Sequence, residues 1–238
     1  MKVEIWSDVV CPWCYIGKRR FEAAVDRFAH RDEVEVEWKS FELDPGARSA
    51  APDEDGPDYA DRLAKKYSTT RAGAQRMLDS MTLAAAAEGL DFRFDLAVRA
   101  NTFDAHQVIH LAAERGIQDQ VKERLLRAYF TEGEPVGDRA ALVRLATDAG
   151  LEGAEVSQVL ASQEHAEAVR ADEAEAGALG ISGVPFFVID RKYGVSGAQP
   201  ADQLLQVLDR AWNESRPALT MVGADGDADA CGPDGCAI

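Results

Sequence analysis

Two cysteines separated by two residues are the first feature of this sequence that could carry out chemistry. The motif Cys11-Pro12-Trp13-Cys14 follows an alternating segment typical of a strand and precedes a helical pattern. This spacing allows the two sulfur atoms to close a small disulfide ring. At a helix N-terminus the first thiol faces unpaired backbone N–H groups and the positive end of the helix dipole, which favour the thiolate. We therefore predict that Cys11 is the attacking thiolate with a lowered pKa and that Cys14 is the thiol that resolves the mixed disulfide. Pro12 and Trp13 are expected to set the local dipoles at the thiols and the access of substrate to them.

A second pair of cysteines, Cys231 and Cys236, lies in a C-terminal segment rich in Gly, Pro and Asp. The four thiols together could bind one structural zinc ion. Zinc-binding pairs usually lie on knuckles or hairpins rather than at a strand–helix junction, so redox chemistry is favoured and no metal is predicted. Cys231 and Cys236 are then a candidate auxiliary redox pair that exchanges electrons with the first pair.

Composition and charge limit the classes of protein to which this chain can belong. Its 238 residues are 46% hydrophobic and 29% charged, which is typical of one large globular domain or of a domain with an insertion. A net charge of −16 repels phosphate backbones and anionic lipids, so neither nucleic acid nor a membrane surface is an expected partner. The N-terminus lacks the apolar stretch of a signal peptide, and a cytoplasmic location is predicted. There, cysteines are more often catalytic or metal-binding than structural.

The elements that must position the first cysteine pair begin with a strand, a helix and a strand. Val3 and Ile5 alternate with Glu4, and alternation over residues 33–38 predicts a second strand. A parallel pair with a crossover helix is the expected arrangement. Strand character returns at residues 184–189, followed by an antiparallel partner near 193–197 and a final helix.

Almost the whole segment from residue 58 to residue 180 has apolar residues at helical spacing. Five glycines fall where these periodic segments stop, as C-terminal caps should. They are Gly89, Gly116, Gly133, Gly150 and Gly180. Because a helical block of this length is more than a connection, we predict an inserted subdomain. The predicted organisation is two parts of one domain at residues 1–57 and 181–216, a helical insertion at 58–180, and a tail at 217–238.

Five stretches resemble the DsbA-family thiol–disulfide oxidoreductases, and within them the cytoplasmic FrnE-like branch. They occur in the family's order, and they are Ser7–Gly17, Phe41–Pro45, Asn101–His106, Ala128–Gly133 and Gly183–Phe187. The resemblance implies a thioredoxin-like α/β fold with a large inserted all-helical subdomain. It also implies disulfide exchange without a cofactor.

The resemblance assigns roles to residues outside the cysteine motif. It implies that Val184-Pro185 is the family's cis-proline bond, packed beside the cysteines, with the Val184 backbone free to pair with a substrate peptide. His106 lies in the block that faces the cysteines across a cleft in the family, which makes it a candidate for substrate contact. His106 and His110 are one helical turn apart but lack a third ligand, so no metal site is predicted. Asp8 could tune the thiols or could be a solvated turn acid, and it is not predicted as catalytic.

The leading hypothesis is a thiol–disulfide oxidoreductase whose partners are protein or small-molecule thiols and disulfides, glutathione being one candidate. The alternative is a glutathione-dependent isomerase or transferase of the 2-hydroxychromene-2-carboxylate isomerase or kappa class. Those families share the overall layout but typically carry Ser at the position of Cys11 and lack the second thiol. A third hypothesis is a holdase that uses an apolar cleft and not the thiols. The fold alone does not decide among them.

Overall fold

The computed structural model describes residues 1–49 and 58–215 and contains a four-stranded sheet in the order β2-β1-β3-β4. The strands are β1 (Lys2–Ser7), β2 (Glu35–Ser40), β3 (Phe186–Ile189) and β4 (Tyr193–Ser196). β1 pairs in parallel with β2, β1 pairs antiparallel with β3, and β3 pairs antiparallel with β4. The predicted parallel pair and the predicted antiparallel partner near the C-terminus are both confirmed.

Helices surround this sheet and fill the interval between β2 and β3. α1 (Pro12–Arg27) connects β1 to β2, and α9 (Ala201–Ser215) follows β4. The helices between β2 and β3 are α2 (Tyr59–Lys66), α3 (Arg71–Ala87), α4 (Phe103–Glu114), α5 (Gln118–Arg127), α6 (Arg139–Asp148), α7 (Gly153–Ser162) and α8 (Ala166–Ala178). A π-helical turn at Ala128–Glu132 extends α5. The expected thioredoxin-like fold with a helical insertion is confirmed. In the part of the chain that the structure describes, no helix has the length and apolarity to cross a bilayer.

Two strands begin later than their sequence patterns predict. β2 begins at residue 35 because Arg31–Glu33 forms a 3-10 turn that breaks the alternation. β3 begins at Phe186 and not at Val184, and the Val184–Pro185 peptide bond that precedes it is cis, as the resemblance implied. Both differences arise because local turns override a side-chain pattern that continues beyond the strand.

The central strand β1 is buried on both faces, which fixes the position of its C-terminal end. Val3 and Ile5 lie in the main core, in which Phe21 of α1 and Phe187 of β3 also lie. On the opposite face Trp6 packs in a smaller cluster with α8, and its indole N–H donates to the carbonyl oxygen of Asp172 at 2.9 Å. The cysteine motif therefore follows a strand that is held from both sides.

The outer strand β2 is tied to α5 by one side-chain amide. Gln118 accepts a hydrogen bond from the Trp38 backbone N–H at 2.8 Å and donates to the Trp38 carbonyl oxygen at 2.9 Å. The next residue, Asp119, accepts from the Trp38 indole N–H at 3.0 Å. These bonds satisfy backbone groups at an otherwise open sheet edge and fix the start of α5 beside the sheet.

All five glycines predicted to end helical segments have positive φ angles, between 71° and 108°. Gly133 has a second constraint, because a Cβ atom there would lie 2.6 Å from the Leu96 Cβ atom and 2.9 Å from the Leu96 carbonyl oxygen. Gly116 has the same φ of 71°, yet a Cβ atom there would have no neighbour within 4 Å. Replacement of Gly116 therefore tests the cost of the backbone conformation alone, and replacement of Gly133 tests that cost together with close packing.

We expect Gly133→Ala to lower the free energy of unfolding by more than Gly116→Ala does. Gly116→Ala costs only the left-handed backbone conformation, about 1 kcal/mol. Gly133→Ala costs the same plus overpacking against the Leu96 backbone, roughly 1–3 kcal/mol more. Urea unfolding of both variants measures the difference. Equal losses would show that the approach of Leu96 adds no constraint.

Candidate active site

The cysteine motif occupies the junction of β1 and α1, as predicted. Cys11 is the N-terminal cap of α1 with extended backbone angles, and Pro12 takes the first helical position, where no N–H is needed. Both cysteines are free thiols and both are buried, with 3% of Cys11 and none of Cys14 exposed. The Cys14 N–H donates to the Cys11 carbonyl oxygen at 3.0 Å, which closes the first turn around the two thiols.

The segment before β3 lies directly against this turn. The Cys11 sulfur is 3.5 Å from the Val184 carbonyl oxygen, within reach of the S–H group. Pro185 packs on α1 at Gly17, where a Cβ atom would lie 2.9 Å from the Pro185 Cγ atom. A glycine at this position allows the close approach that puts Val184 beside Cys11.

An open cleft of about 770 Å³ begins at Cys11 and continues between α1, α2 and α3. Pro12, Trp13 and Val184 line it, and Trp13 is 39% exposed. Cys14 does not line the cleft. The other lining residues of the cleft are mainly apolar or basic and include Val10, Leu63, Lys65, Lys66, Tyr67, Met77, Met81, Arg99 and Tyr129. Of the two thiols, only that of Cys11 faces the space in which a substrate could bind.

A buried lysine lies beneath the thiols. Lys122 of α5 is 1% exposed, and its Nζ atom is 3.4 Å from the carbonyl oxygen of Ser7 and 5.5 Å from the centre of the Trp38 ring. Burial lowers the pKa of Lys122 to about 8, although the negative charges of Cys14 and Asp8 oppose this change. Lys122 therefore supplies a weakly solvated positive charge on the protein side of the cysteine pair.

Burial of the reduced pair opposes the lowered pKa predicted for Cys11. Burial raises the pKa of Cys11, and hydrogen bonding to Cys14 and the negative charge of Cys14 raise it further. The backbone N–H of Cys14 lowers the pKa of Cys11, as the helix-terminus argument expects, but this effect is smaller. Burial would also raise the pKa of Cys14, but the hydrogen bond from Cys11 and the charge of Lys122 outweigh it and lower that pKa. The two thiols therefore titrate as a coupled pair, in which the charge of Lys122 and the backbone N–H of Cys14 both favour one thiolate.

Asp8 and His106 form a second buried group behind the motif. Both side chains are fully buried, and the His106 Nε2 atom lies 3.5 Å from the Asp8 Oδ1 atom. The other carboxylate oxygen of Asp8 accepts from the Leu43 N–H at 2.8 Å. Burial would raise the pKa of Asp8, but His106, the Leu43 amide and the Lys122 ammonium outweigh it and lower that pKa. Asp8 is therefore a buried anion rather than a solvated turn acid.

The expectation that His106 contacts substrate is wrong in this conformation. His106 is 0% exposed and is not part of the cleft wall, because α4 turns its first residues inward behind Asp8. Its contact with Asp8 makes it a neighbour of the cysteine motif from the buried side. Cys231 and Cys236, the candidate auxiliary pair, lie outside the described residues.

Lys122 is the main site residue that sequence reasoning did not identify. Its signal is present, because Lys122 shares the i, i+3, i+4, i+7 spacing of Leu125, Leu126 and Tyr129 on one helix face. All four side chains are buried. A lysine on an otherwise apolar stripe indicates a buried charge, but only the tertiary structure shows what lies opposite.

A second cluster of polar residues joins α4 and α8 to β2. The His110 Nε2 atom is 3.0 Å from the Asp172 Oδ2 atom and 3.1 Å from the Ser40 Oγ atom. Because both partners meet the same ring nitrogen, the imidazole cannot pass a proton from Ser40 towards Asp172, as a Ser–His–Asp triad requires. Within residues 1–49 and 58–215, no group of three or more His, Cys, Asp or Glu side chains is placed to hold a metal ion.

We expect Lys122→Met to raise the pH at which the reduced cysteine pair forms its thiolate, by roughly one unit, because a nearby positive charge is lost. Thiolate absorbance in the ultraviolet, followed against pH, measures this midpoint. Lys18→Met is the matched control, since Lys18 is also a buried lysine (2% side-chain exposure) but pairs with Glu22, Asp119 and Glu123. An unchanged midpoint in Lys122→Met, or an equal shift in Lys18→Met, would contradict a specific role for Lys122.

Comparison with known proteins places this chain in a family. A model of the DSBA-like thioredoxin domain matches residues 2–209. A probable DsbA oxidoreductase from Streptomyces coelicolor is 49% identical, covers 100% of this chain and 99% of its own, and superposes with a TM-score of 0.83. The uncharacterized protein YwbO of Bacillus subtilis is 29% identical over 194 residues, which are 79% of this chain and 86% of that protein.

More distant structures share the fold alone. The cytosolic disulfide reductase DsbM from Pseudomonas aeruginosa, also solved with glutathione, is 18% identical, with 90% of this chain and 100% of that chain covered and a TM-score of 0.61. A 2-hydroxychromene-2-carboxylate isomerase is 11% identical, with coverage of 90% and 98% and a TM-score of 0.61. The family-model match and the 49% identity carry the assignment. This chain belongs to the DSBA-like thioredoxin domain family and is an enzyme of the disulfide oxidoreductase/isomerase class.

Proposed function

We propose that this protein exchanges disulfides with thiol substrates through Cys11 and Cys14. The observation that carries the proposal is the arrangement of the two free thiols, with Cys11 at the wall of an open cleft and Cys14 buried directly behind it. This division assigns attack on substrate to the outer sulfur and resolution to the inner one. The narrower FrnE-like assignment and a cytoplasmic location are part of the same proposal, and the fold of a cytosolic disulfide reductase is consistent with both.

The reaction begins with a proton transfer inside the pair. One thiolate forms in the pair, and Cys14 takes the proton of Cys11 as the Cys11 sulfur attacks a substrate disulfide. A bond forms between Cys11 and one substrate sulfur, the substrate S–S bond breaks, and the other substrate sulfur leaves as a thiolate. The departed substrate thiolate takes the proton of Cys14, and the Cys14 thiolate attacks the Cys11 sulfur, which breaks the mixed disulfide and releases the second substrate sulfur as a thiolate. The substrate gains two electrons and the cysteine pair becomes a disulfide.

Charged groups beneath the pair support both steps. The Lys122 ammonium stabilises the Cys14 thiolate that accepts the proton and later attacks. Asp8, held by Leu43 and His106, is a buried anion that attracts Lys122. We assign His106 a positioning role through Asp8. The reverse reaction, in which the disulfide form oxidises a dithiol, uses the same groups.

The substrate binds in the cleft beside Cys11. Pro12 and Trp13 form its edge at the start of α1, and the Val184 backbone lies beside the Cys11 sulfur, held by Pro185. An extended substrate segment could pair with this backbone as an added strand does. Glutathione is proposed as one small-molecule partner, supported by the structure of DsbM with glutathione. Protein thiols and disulfides are the other partner class.

We expect Cys11→Ser to abolish the reduction of insulin disulfides, whereas Cys14→Ser should accumulate a mixed disulfide between Cys11 and substrate. The turbidity of reduced insulin measures the first result, and intact-protein mass spectrometry measures the second. Both variants are best made in a background of Cys231→Ser and Cys236→Ser, so that no other thiol of the chain can resolve the intermediate. Equal residual activity in the two variants would contradict the assigned roles.

The glutathione-dependent isomerase activity is a second candidate, favoured by the fold shared with 2-hydroxychromene-2-carboxylate isomerase. That chemistry requires no resolving thiol, whereas disulfide exchange does. Isomerase activity that survives in Cys14→Ser would therefore support the isomerase. Its absence in the unaltered protein would leave disulfide exchange as the function.

We propose that Cys231 and Cys236 transfer electrons to or from the active-site pair, and we expect their double replacement by Ser to slow turnover with a protein disulfide. The Cys11–Cys14 reduction potential is measured in parallel, because a relay changes turnover whereas a structural role would change the potential. Unchanged turnover and unchanged potential would show that the tail thiols are not involved. Zinc that co-purifies in the unaltered protein and is lost in this variant would instead support the four-thiol metal site.

A further inference from the structure

We propose that the cleft beside Cys11 selects disulfides in polypeptide segments that carry acidic side chains next to the cystine. This inference rests on the proposed function and adds the chemistry of the substrate. Two features carry it: basic side chains of the cleft wall that form no ion pair with any described residue, and large exposed aromatic groups that line the same cleft.

Three basic side chains of the cleft wall differ from most others in the protein. The chain has a net charge of −16, and most of the Lys and Arg side chains in residues 1–49 and 58–215 form ion pairs with carboxylates. Lys65, Lys66 and Arg99 are exposed, line the cleft, and form no ion pair with any described residue. The cleft wall thus presents three positive charges without a partner among the described residues, whereas most of the other described Lys and Arg side chains are paired.

The acidic residues of the same wall do not cancel this charge. Asp61 is paired with Arg71 at 2.5 Å, and Asp8 is buried beneath the thiols. Asp44 is the remaining acidic residue, and it is exposed. Lys65 and Lys66 lie in the last turn of α2, where the helix dipole favours cations. Arg99 lies outside any helix, so helix-end stabilisation does not explain the whole group.

The apolar part of the cleft favours a polypeptide over a small polar thiol. Trp13 is 39% exposed and Tyr67 is 55% exposed, and both line the cleft with Leu63 and Met77. Exposed aromatic groups arranged together are typical of surfaces that bind protein segments. The Val184 backbone beside Cys11 adds a place where an extended chain can pair.

Local charge outweighs the overall repulsion expected from the acidic protein. At physiological ionic strength the Debye length is about 8 Å, so distant carboxylates are largely screened. A glutamate of the substrate that lies against Lys66 or Arg99 is within contact distance and is not screened in this way. The preference should therefore be strongest at low salt and should decrease as salt rises.

The test compares three synthetic peptides of equal length that contain one disulfide flanked by Glu, by Gln or by Lys. The rate at which the reduced full-length enzyme reduces each peptide gives kcat/KM. We expect the Glu peptide to exceed the Lys peptide at least about fivefold at low salt, consistent with several exposed pairs of 0.2–1 kcal/mol. Lys66→Glu and Arg99→Glu should each reduce the ratio of Glu-peptide to Lys-peptide rates. Arg76→Glu is the matched control, since Arg76 is exposed on α3 and outside the cleft wall.

Three results would overturn the inference. The first is equal rates for the three peptides. The second is an equal fall in the ratio of Glu-peptide to Lys-peptide rates in Arg76→Glu. The third is that glutathione disulfide is reduced faster than the Glu peptide and that its rate depends on Lys66 and Arg99 in the same way. The first result would show that the cleft does not select by charge. The second would show that the preference comes from the net charge of the protein, and the third would show that the cleft binds a small thiol. Reduction of the uncharged hydroxyethyl disulfide by the unaltered enzyme is measured first. If it depends on Cys11, the proposed function stands whichever peptide result is obtained; if it does not occur, the proposed function itself fails.

Discussion

The candidate site depends on two opposing effects on the thiols of Cys11 and Cys14. Burial disfavours the thiolate form, and nearby charged and polar groups favour it. Burial disfavours a thiolate on either cysteine, so a charge can form only where neighbouring groups compensate for the lost hydration. Lys122 supplies a positive charge from the inner side, and the Cys14 backbone N–H acts on Cys11, so both favour a thiolate in the pair. The outer thiol faces the cleft, and the inner thiol lies behind it on the side of Lys122.

This arrangement requires both parts of the structure. The sheet and α1 supply the two cysteines, and their spacing depends only on the first turn of one helix. Lys122 and His106 come from α5 and α4 of the helical insertion. The Gln118 and Asp119 bonds to Trp38 hold α5 against β2, and Lys122 follows one turn later on the same helix. The insertion thus completes the electrostatics of the site as well as covering it.

The sequence predicted well the features that depend on neighbouring residues. The strand, the helix start at Pro12 and the glycines that end helices are local properties, because each depends on backbone angles or on a short periodic pattern. The predicted start of β2 was less accurate, because the turn at Arg31–Glu33 interrupts the alternating pattern. For His106 the family resemblance indicated the right neighbourhood but the wrong side of the motif.

The sequence by itself determined the reactive pair, since two thiols at this spacing at a helix start carry their chemistry within four residues. It also determined the order of the elements, the helical insertion and the family. Only the tertiary structure decided which charge lies beneath the two sulfur atoms, because Lys122 is more than 100 residues away in the chain and its effect depends on burial and distance. The same holds for the basic wall of the cleft, where Lys66 and Arg99 come together only after α2 and the segment before α4 have packed.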